Sequence, residues 1–297
     1  MSNAEGSGGT SDSLFGGKHN AVRTIGSILI EEGRLRPSDM DKVQRFAVEH
    51  GMDFCAAAVQ LRLLRKEDIE FALELQFEFP TLPLGGKGGV AEDVVVGHDP
   101  MGSLAEAIRA LRSQLMYRWL SSSKRSVLAV VSPDRGEGRS WLAANLATAF
   151  AQIGKRTLLI DADLRHSRQH ELFNLDNSTG FSALLTGGAG TDVAQLIHPR
   201  LRLYVLPAGR RPPNPQELLA RSTFEVVLQR CIDAFDLIIL DTPAAAESAD
   251  TQILAAHACS ALLVARRNHT RSANLCATMH SLQDIGVDVV GSVINEH

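Results

Sequence analysis

Residues 127–147 carry the strongest constraint on what this chain can fold into. An apolar run, Val127-Leu-Ala-Val-Val-Ser132, leads into Pro133-Asp-Arg-Gly-Glu-Gly-Arg-Ser140, and a helix-forming stretch opens at Trp141-Leu-Ala-Ala-Asn145-Leu-Ala147. Strand, glycine-rich turn and helix in that order make a phosphate-binding loop. Gly136 and Gly138 let the backbone bend so that N–H groups converge on phosphate oxygens. The helix N-terminus adds partial positive charge, and Ser140 offers a hydroxyl to magnesium. Asp134, Arg135, Gly136, Glu137, Gly138, Arg139, Ser140 and Trp141 are therefore the candidate nucleotide-binding residues. Two positions depart from the usual pattern: Pro133 replaces the first glycine, and Arg139 replaces the lysine. Arginine keeps a fixed charge and can contact phosphate in a fork, but it is bulkier than an ammonium.

Two further apolar runs end in carboxylates. Thr157-Leu-Leu-Ile-Asp161 continues into Ala162-Asp163, and Asp236-Leu-Ile-Ile-Leu-Asp241 continues into Thr242-Pro243. Strand alternation predicts that Asp161 and Asp163 share a side. Ligands gather at the C-terminal ends of parallel strands, so Ser140, Asp161, Asp163 and Asp241 are expected in one crevice. Carboxylates beside a triphosphate imply an intervening cation, so ATP with Mg²⁺ is the expected cofactor. The candidate catalytic residues are Arg139, Asp161, Asp163 and Asp241; the candidate metal ligands are Ser140, Asp161 and Asp241. Asp161 is assigned to activating the attacking hydroxyl or water, and Asp241 to holding the metal through water. Asn295, at the end of the final strand, is a candidate adenine contact.

The chain has 297 residues, enough for two domains. Strand-like and helical segments alternate from Met101 onward, which indicates an α/β domain with a mainly parallel sheet and helices on both faces. Residues 1–20 read as a disordered tail, 21–79 as a small all-α module, 80–100 as a Pro/Gly-rich linker, and 101–297 as the nucleotide-binding domain. A net charge of −4 argues against a nucleic-acid partner. The longest nearly uncharged stretch, residues 253–265, is too short to span a bilayer. The four cysteines fall in no metal-binding spacing and read as reduced core residues. A cytoplasmic protein that reaches the membrane through a partner is expected.

The helical module repeats at a shift of 29 residues, which sets Ile25 against Phe54, Leu35 against Leu64 and Val43 against Ala72. Ser38 and Asp41 mark an expected helix start. The module resembles the N-terminal domain of type II secretion and pilus ATPases. Some of those bind cyclic di-GMP through Arg-Leu-Gly motifs. Here Ile25-Gly26 and Phe54-Cys55-Ala56 stand in their place, so a protein-docking role is the expectation.

Residues 101–295 resemble the bacterial tyrosine kinases of polysaccharide export, within the deviant-Walker, ParA/MinD-like P-loop ATPases. The resemblance rests on Asp161-Ala-Asp-Leu-Arg165, on Phe181-Ser-Ala-Leu-Leu-Thr-Gly187, on Ala208-Gly-Arg-Arg-Pro-Pro-Asn-Pro-Gln-Glu-Leu218 with Leu219, and on residues 236–243. Glu106, Arg109 and Arg112, spaced by three on one predicted helix over 104–120, look like that family's Glu-x-x-Arg-x-x-Arg motif, which implies ring-like self-assembly. With the N-terminal module, the match narrows to the chain-length-determinant kinases of exopolysaccharide clusters (the EpsG type). That resemblance implies a separate, membrane-embedded chain-length determinant as partner. The family's tyrosine-rich tail has no counterpart before His297. Tyr117 and Tyr204 are the two tyrosines, and both are expected to be packing residues. A tyrosine kinase acting on another protein is thus the leading reading. The alternatives are a nucleotide-gated assembly ATPase or scaffold and a ParA/MinD-type positioning ATPase. The last expects a second lysine where Asp134 stands.

Overall fold

The computed structural model describes residues 24–77, 80–86, 89–121, 126–188, 190 and 193–296. The tail expected over residues 1–20 lies outside them. The chain forms two compact units, residues 1–79 and 80–297.

The first unit holds α1 (Ile25–Glu31), α2 (Pro37–His50), α3 (Phe54–Gln60) and α4 (Lys66–Phe77). Its buried core is Ile28, Leu29, Leu35 and Val43 from the first half and Ala57, Ala58, Leu64 and Ala72 from the second. Each pair is separated by the repeat length, so the two copies bury equivalent positions against each other. The caps repeat as well. Thr24 accepts from Ser27 N–H at 3.2 Å, and Asp53 accepts from Ala56 N–H at 2.9 Å. The halves are tied by Arg34, which pairs with Asp68 at 2.7 Å and lies over the Phe71 ring. Capping by Ser38 and Asp41 is not what the structure shows. The N-cap lies two residues earlier, at Arg36, with no side-chain cap bond, and helix α2 begins at Pro37. Proline's fixed φ suits the first helical position and sets the start there.

The second unit is a seven-stranded sheet. Its elements are, in chain order, α5 (Val95–His98), α6 (Ser103–Leu115), β1 (Val127–Val131), α7 (Arg139–Gln152), β2 (Thr157–Asp161), α8 (Gln169–Leu172), α9 (Phe181–Leu185), β3 (Gln195–His198), β4 (Leu201–Leu206), α10 (Pro215–Leu219), α11 (Ser222–Ala234), β5 (Leu237–Asp241), α12 (Asp250–Ala258), β6 (Ser260–Arg266), α13 (Ser272–Asp284) and β7 (Asp288–Asn295). The strand order is β3-β4-β2-β5-β1-β6-β7. All neighbours are parallel except β3 against β4. Strands β1, β2 and β5 are buried along their whole length, as a sheet covered on both faces requires. Leu128 and Val130 face one core with α6 and α7, while Val127, Ala129 and Val131 face the other with α11 and α12.

Residues 80–100 are not a linker. Leu82, Val90, Val94 and Val96 are buried in the same core as α7. The buried amide of Asn145 locks the segment down. Its Oδ1 accepts from Val96 N–H at 3.0 Å, and its Nδ2 donates to Asp93 O at 2.8 Å and to Trp141 O at 2.9 Å. Gln152, also on α7, donates to Val96 O at 2.9 Å. Proline and glycine content signalled irregular backbone here, but the apolar residues between them pay for packing it. Replacing Asn145 with alanine strands the buried Val96 N–H and removes the donor to two part-buried carbonyls, Asp93 O and Trp141 O. We expect a loss of about 1–3 kcal/mol in chemical denaturation; a loss below ~0.5 kcal/mol, the scale of a neutral surface change, would count against this lock.

Helix α6 runs only to Leu115 and continues as a π-helical turn, Met116–Leu120. The wider turn leaves Trp119 buried, with Nε1 donating to Ser260 Oγ at 3.0 Å, and turns Tyr117 outward. Tyr117 is 82% exposed, so it is not a packing residue. Tyr204 is half-buried and meets the Phe235 ring edge-on. Of the cysteines, Cys231 is buried, Cys55 and Cys259 are half-buried, and Cys276 is exposed. Among the described residues no helix is long and apolar enough to cross a membrane.

Candidate nucleotide-binding site

The site forms where β1, β2 and β5 end side by side. Asp161 and Asp241 are direct cross-strand partners, and both are fully buried. Asp161 Oδ2 accepts from Arg168 N–H at 3.0 Å and Gln169 N–H at 2.9 Å, while Asp241 Oδ2 accepts from Gln169 Nε2 at 2.7 Å. Their Oδ1 atoms are buried with no hydrogen-bond partner. Burial and the neighbouring Asp241 charge push the Asp161 carboxyl well above the ordinary range. Burial likewise lifts Asp241 to about 6, against the hydrogen bonds from Gln169 and Ser140 and the Arg139 charge. Two like charges with an orphan oxygen each constitute an electrostatic debt that a divalent cation cancels. Among the described residues no cluster of three His, Cys, Asp or Glu side chains gathers to hold a metal alone. A magnesium ion would therefore complete its shell with phosphate oxygens and water, its ordinary habit.

Asp163 lies beyond the end of β2, so strand alternation does not govern it. Its Oδ1 accepts from Arg165 N–H at 3.0 Å and His166 N–H at 2.8 Å, which holds the turn after the strand. It sits near both buried carboxylates and contributes repulsion to each.

The phosphate-binding loop wraps the end of β1. Gly136 and Gly138 have φ of 75° and 96°, a region closed to most side chains. Any Cβ on Gly138 would also strike Asn295 Nδ2, at 2.2 Å. That amide instead donates to Glu137 O at 3.1 Å, which ties the loop to the end of β7. Glu137 is fully buried, and its carboxylate accepts from Asp134 N–H at 2.8 Å and from the Thr270 hydroxyl. Asp134 accepts from Asn274 Nδ2 at 3.1 Å, and exposed Arg135 pairs with Glu247 at 3.4 Å. Ser140 is hydrogen-bonded to Asp241, and its carbonyl accepts from Gln169 Nε2 at 3.0 Å.

Arg139 is 8% exposed and turns back on the protein. Its Nε donates to Thr242 O at 3.0 Å, and its Nη1 donates to Asp134 O at 2.7 Å and to the Ser132 hydroxyl. The guanidinium thus ties the loop to the ends of β1 and β5, and among the described residues Nη2 alone has no partner. Trp141 is half-buried and lines a cleft of about 380 Å³ with Leu104, Ile108, Val264, Asn295 and Glu296.

Glu106, Arg109 and Arg112 make contacts within the chain. Glu106 and Arg109 pair along α6 at 2.7 Å, and Arg112 Nη1 donates to Ala149 O at 3.0 Å on α7. Burial lowers the Arg112 pKa, and its Nε is unpartnered.

Sequence reasoning missed Gln169, whose amide and backbone bridge Ser140, Asp161 and Asp241. Nothing in a polar helix start distinguishes such a residue. It also missed the pair between half-buried Arg165 and buried Asp250, at 2.8 Å, which fixes the turn after β2 to α12.

A phosphate-binding loop, two buried carboxylates in register and a parallel sheet define a P-loop nucleotide-binding domain. Residues 128–297 match the CobQ/CobB/MinD/ParA nucleotide binding domain family. The chain is 33% identical over 201 residues to the putative tyrosine-protein kinase CapB of Staphylococcus aureus, covering 67% of this chain and 87% of that protein. It is 33% identical over 192 residues to the tyrosine-protein kinase ptk of Acinetobacter johnsonii, covering 64% of this chain but only 26% of that longer protein. The kinase domain of the Escherichia coli tyrosine kinase ETK superimposes with a TM-score of 0.66 at 28% identity, over 73% of this chain and 89% of that one. The chain belongs to the bacterial tyrosine kinase family, built on a MinD/ParA-like nucleotide-binding fold.

Proposed function

We propose that the chain binds ATP with magnesium and transfers the terminal phosphoryl group to tyrosine, in the control of exopolysaccharide chain length. The observation that carries this reading is the pair of buried carboxylates, Asp161 and Asp241, each with a free oxygen beside the phosphate-binding loop. Ser140, Asp241 and Asp161 would hold magnesium, which supplies charge neutralisation at the transferring phosphoryl group. Inward N–H groups around Gly136 and Gly138 would cradle the phosphates. The Trp141 cleft, beside Asn295, would take the base. Asp161 Oδ1, which no protein group satisfies, would accept the proton of the attacking hydroxyl.

In this reading the partner is a membrane-embedded chain-length determinant, and copies assemble as a ring through Glu106, Arg109 and Arg112. Support comes from the resemblance in the loop 208–219 and on α6. The alternative is a nucleotide-gated scaffold, which Arg139's engagement with protein oxygens favours. Incubation with γ-labelled ATP separates the two. Label on tyrosine is the expected outcome; phosphate release with unlabelled protein and partner would leave the scaffold. Any self-label is expected on Tyr117, because Tyr204 is packed against Phe235. Tyr117→Phe should then abolish it.

A further inference from the structure

We propose that the loop after β4, residues 207–214, docks acidic residues flanking the acceptor tyrosine of a protein substrate, with Arg210 and Arg211 as the paired cationic contacts. The proposal rests on the kinase reading above and names its substrate class.

Both arginines are exposed, and neither side chain makes an ion pair or hydrogen bond among the described residues. Other arginines around the carboxyl ends of the strands are engaged. Arg135 is held by Glu247, Arg165 by Asp250, Arg168 by Asp93 and Arg267 by Glu296. Across residues 207–221 the sole acidic residue is Glu217, while exposed Arg221 adds a third cation. This local excess sits on a chain of net charge −4, which by itself would repel an acidic peptide.

The loop is held in shape before any ligand arrives. Phe181 N–H donates to Pro207 O at 2.8 Å, and Ser182 N–H donates to Ala208 O at 2.9 Å. Ser182 Oγ donates to Arg210 O at 2.8 Å. Gly209 has φ of 78°, and a Cβ there would approach Gly180 N to 2.7 Å. Pro212 and Pro213 follow the two arginines. A preorganised loop loses little entropy on binding, so two guanidinium groups can engage carboxylates in forked hydrogen bonds at low cost.

The loop is also tied to the reacting end of β2. Strand β4 lies beside β2, so the loop leaves the same edge that carries Asp161. Gly209 N–H donates to Asn177 Oδ1 at 2.7 Å, and Asn177 Nδ2 donates to Ser167 Oγ at 3.3 Å. The next residue, Arg168, donates its N–H to Asp161. A peptide anchored at the loop is thereby referenced to the carboxylate assigned to the hydroxyl.

The test uses the full chain with ADP and magnesium, and two labelled peptides: a tyrosine flanked by glutamates and its glutamine counterpart. Fluorescence anisotropy should show the glutamate peptide bound at least ~10-fold tighter, with the difference shrinking as salt is raised. The double variant Arg210→Ala/Arg211→Ala should erase that preference without altering ADP affinity or melting temperature. The double lysine variant should retain part of it, as point charges without the fork. Absent binding, equal binding of the two peptides, or a preference that survives in the alanine variant overturns the proposal. So does a result in which the alanine variant loses binding to anionic phospholipid vesicles and the peptides show no preference. Phosphoryl transfer to the same peptides keeps the two readings apart. Arginine-dependent docking without transfer sinks the kinase reading alone. Transfer with equal KM for the two peptides, unchanged in the alanine variant, sinks the docking alone.

Discussion

Asp161→Asn is expected to make the nucleotide-free protein more stable and the loaded protein inactive. Asp161 and Asp241 are buried side by side, each with an oxygen that no protein group satisfies. Burial raises both pKa values, Asp241 to about 6, and repulsion adds to it, from Asp241 and Asp163 on Asp161 and from Asp163 on Asp241. A carboxyl whose folded pKa lies above its unfolded value binds more protons when folded. Stability therefore falls as pH rises from about 4 through about 6, and the carboxylates are a net cost above that window. Melting at pH 5 and pH 8 should show the metal-free wild type less stable at pH 8. Magnesium with ADP should restore much of the difference. The asparagine keeps an acceptor for Arg168 and Gln169 N–H while removing one charge, so the variant should melt roughly 5 °C higher at pH 8. Its magnesium-dependent shift should vanish, and turnover should fall ~100-fold or more, as expected when several kcal/mol of metal-assisted charge stabilisation is lost. A variant that melts lower than wild type without metal would contradict the electrostatic account of this pair.

Legibility in the sequence followed the range of the interactions. The strands β1, β2 and β5 could be read because full burial on two faces demands unbroken apolar runs, and their terminal aspartates stand out against such runs. The phosphate-binding loop was legible for a similar reason, since glycine at positive φ is a local requirement. Residues 80–100 were misread because their order comes from α7, through Asn145 and Gln152, more than forty residues further along the chain. Asp163 shares the crevice with Asp161 and Asp241, but alternation stops where a strand stops, and its carboxylate is set by the turn after β2. The outward turn of Tyr117 follows from a single widened helical turn that no periodicity announces. Gln169 is the extreme case, with each of its bonds running to a different segment of the site.

Arg139→Lys should trade stability for turnover. In the wild type the guanidinium is largely committed. Thr242 O, Asp134 O and Ser132 Oγ take Nε and Nη1, and one nitrogen is left for a ligand. This arrangement makes Arg139 a tie-bar between the loop and two strand ends. A lysine carries three donors at a single point and cannot reach acceptors spread across the guanidinium plane. At least one buried acceptor would lose its partner, costing about 1–3 kcal/mol in denaturation. The released charge would be free to follow the phosphoryl group, so ATP turnover should rise while magnesium–ATP affinity stays within about threefold, a difference below 1 kcal/mol. Unchanged turnover together with the stability loss would mean that bound nucleotide already draws the guanidinium off its protein acceptors. In that case Arg139 acts on phosphate directly, and its engagement describes the nucleotide-free protein alone. Unchanged stability would mean the three acceptors do not depend on the guanidinium, and the tie-bar role would be lost.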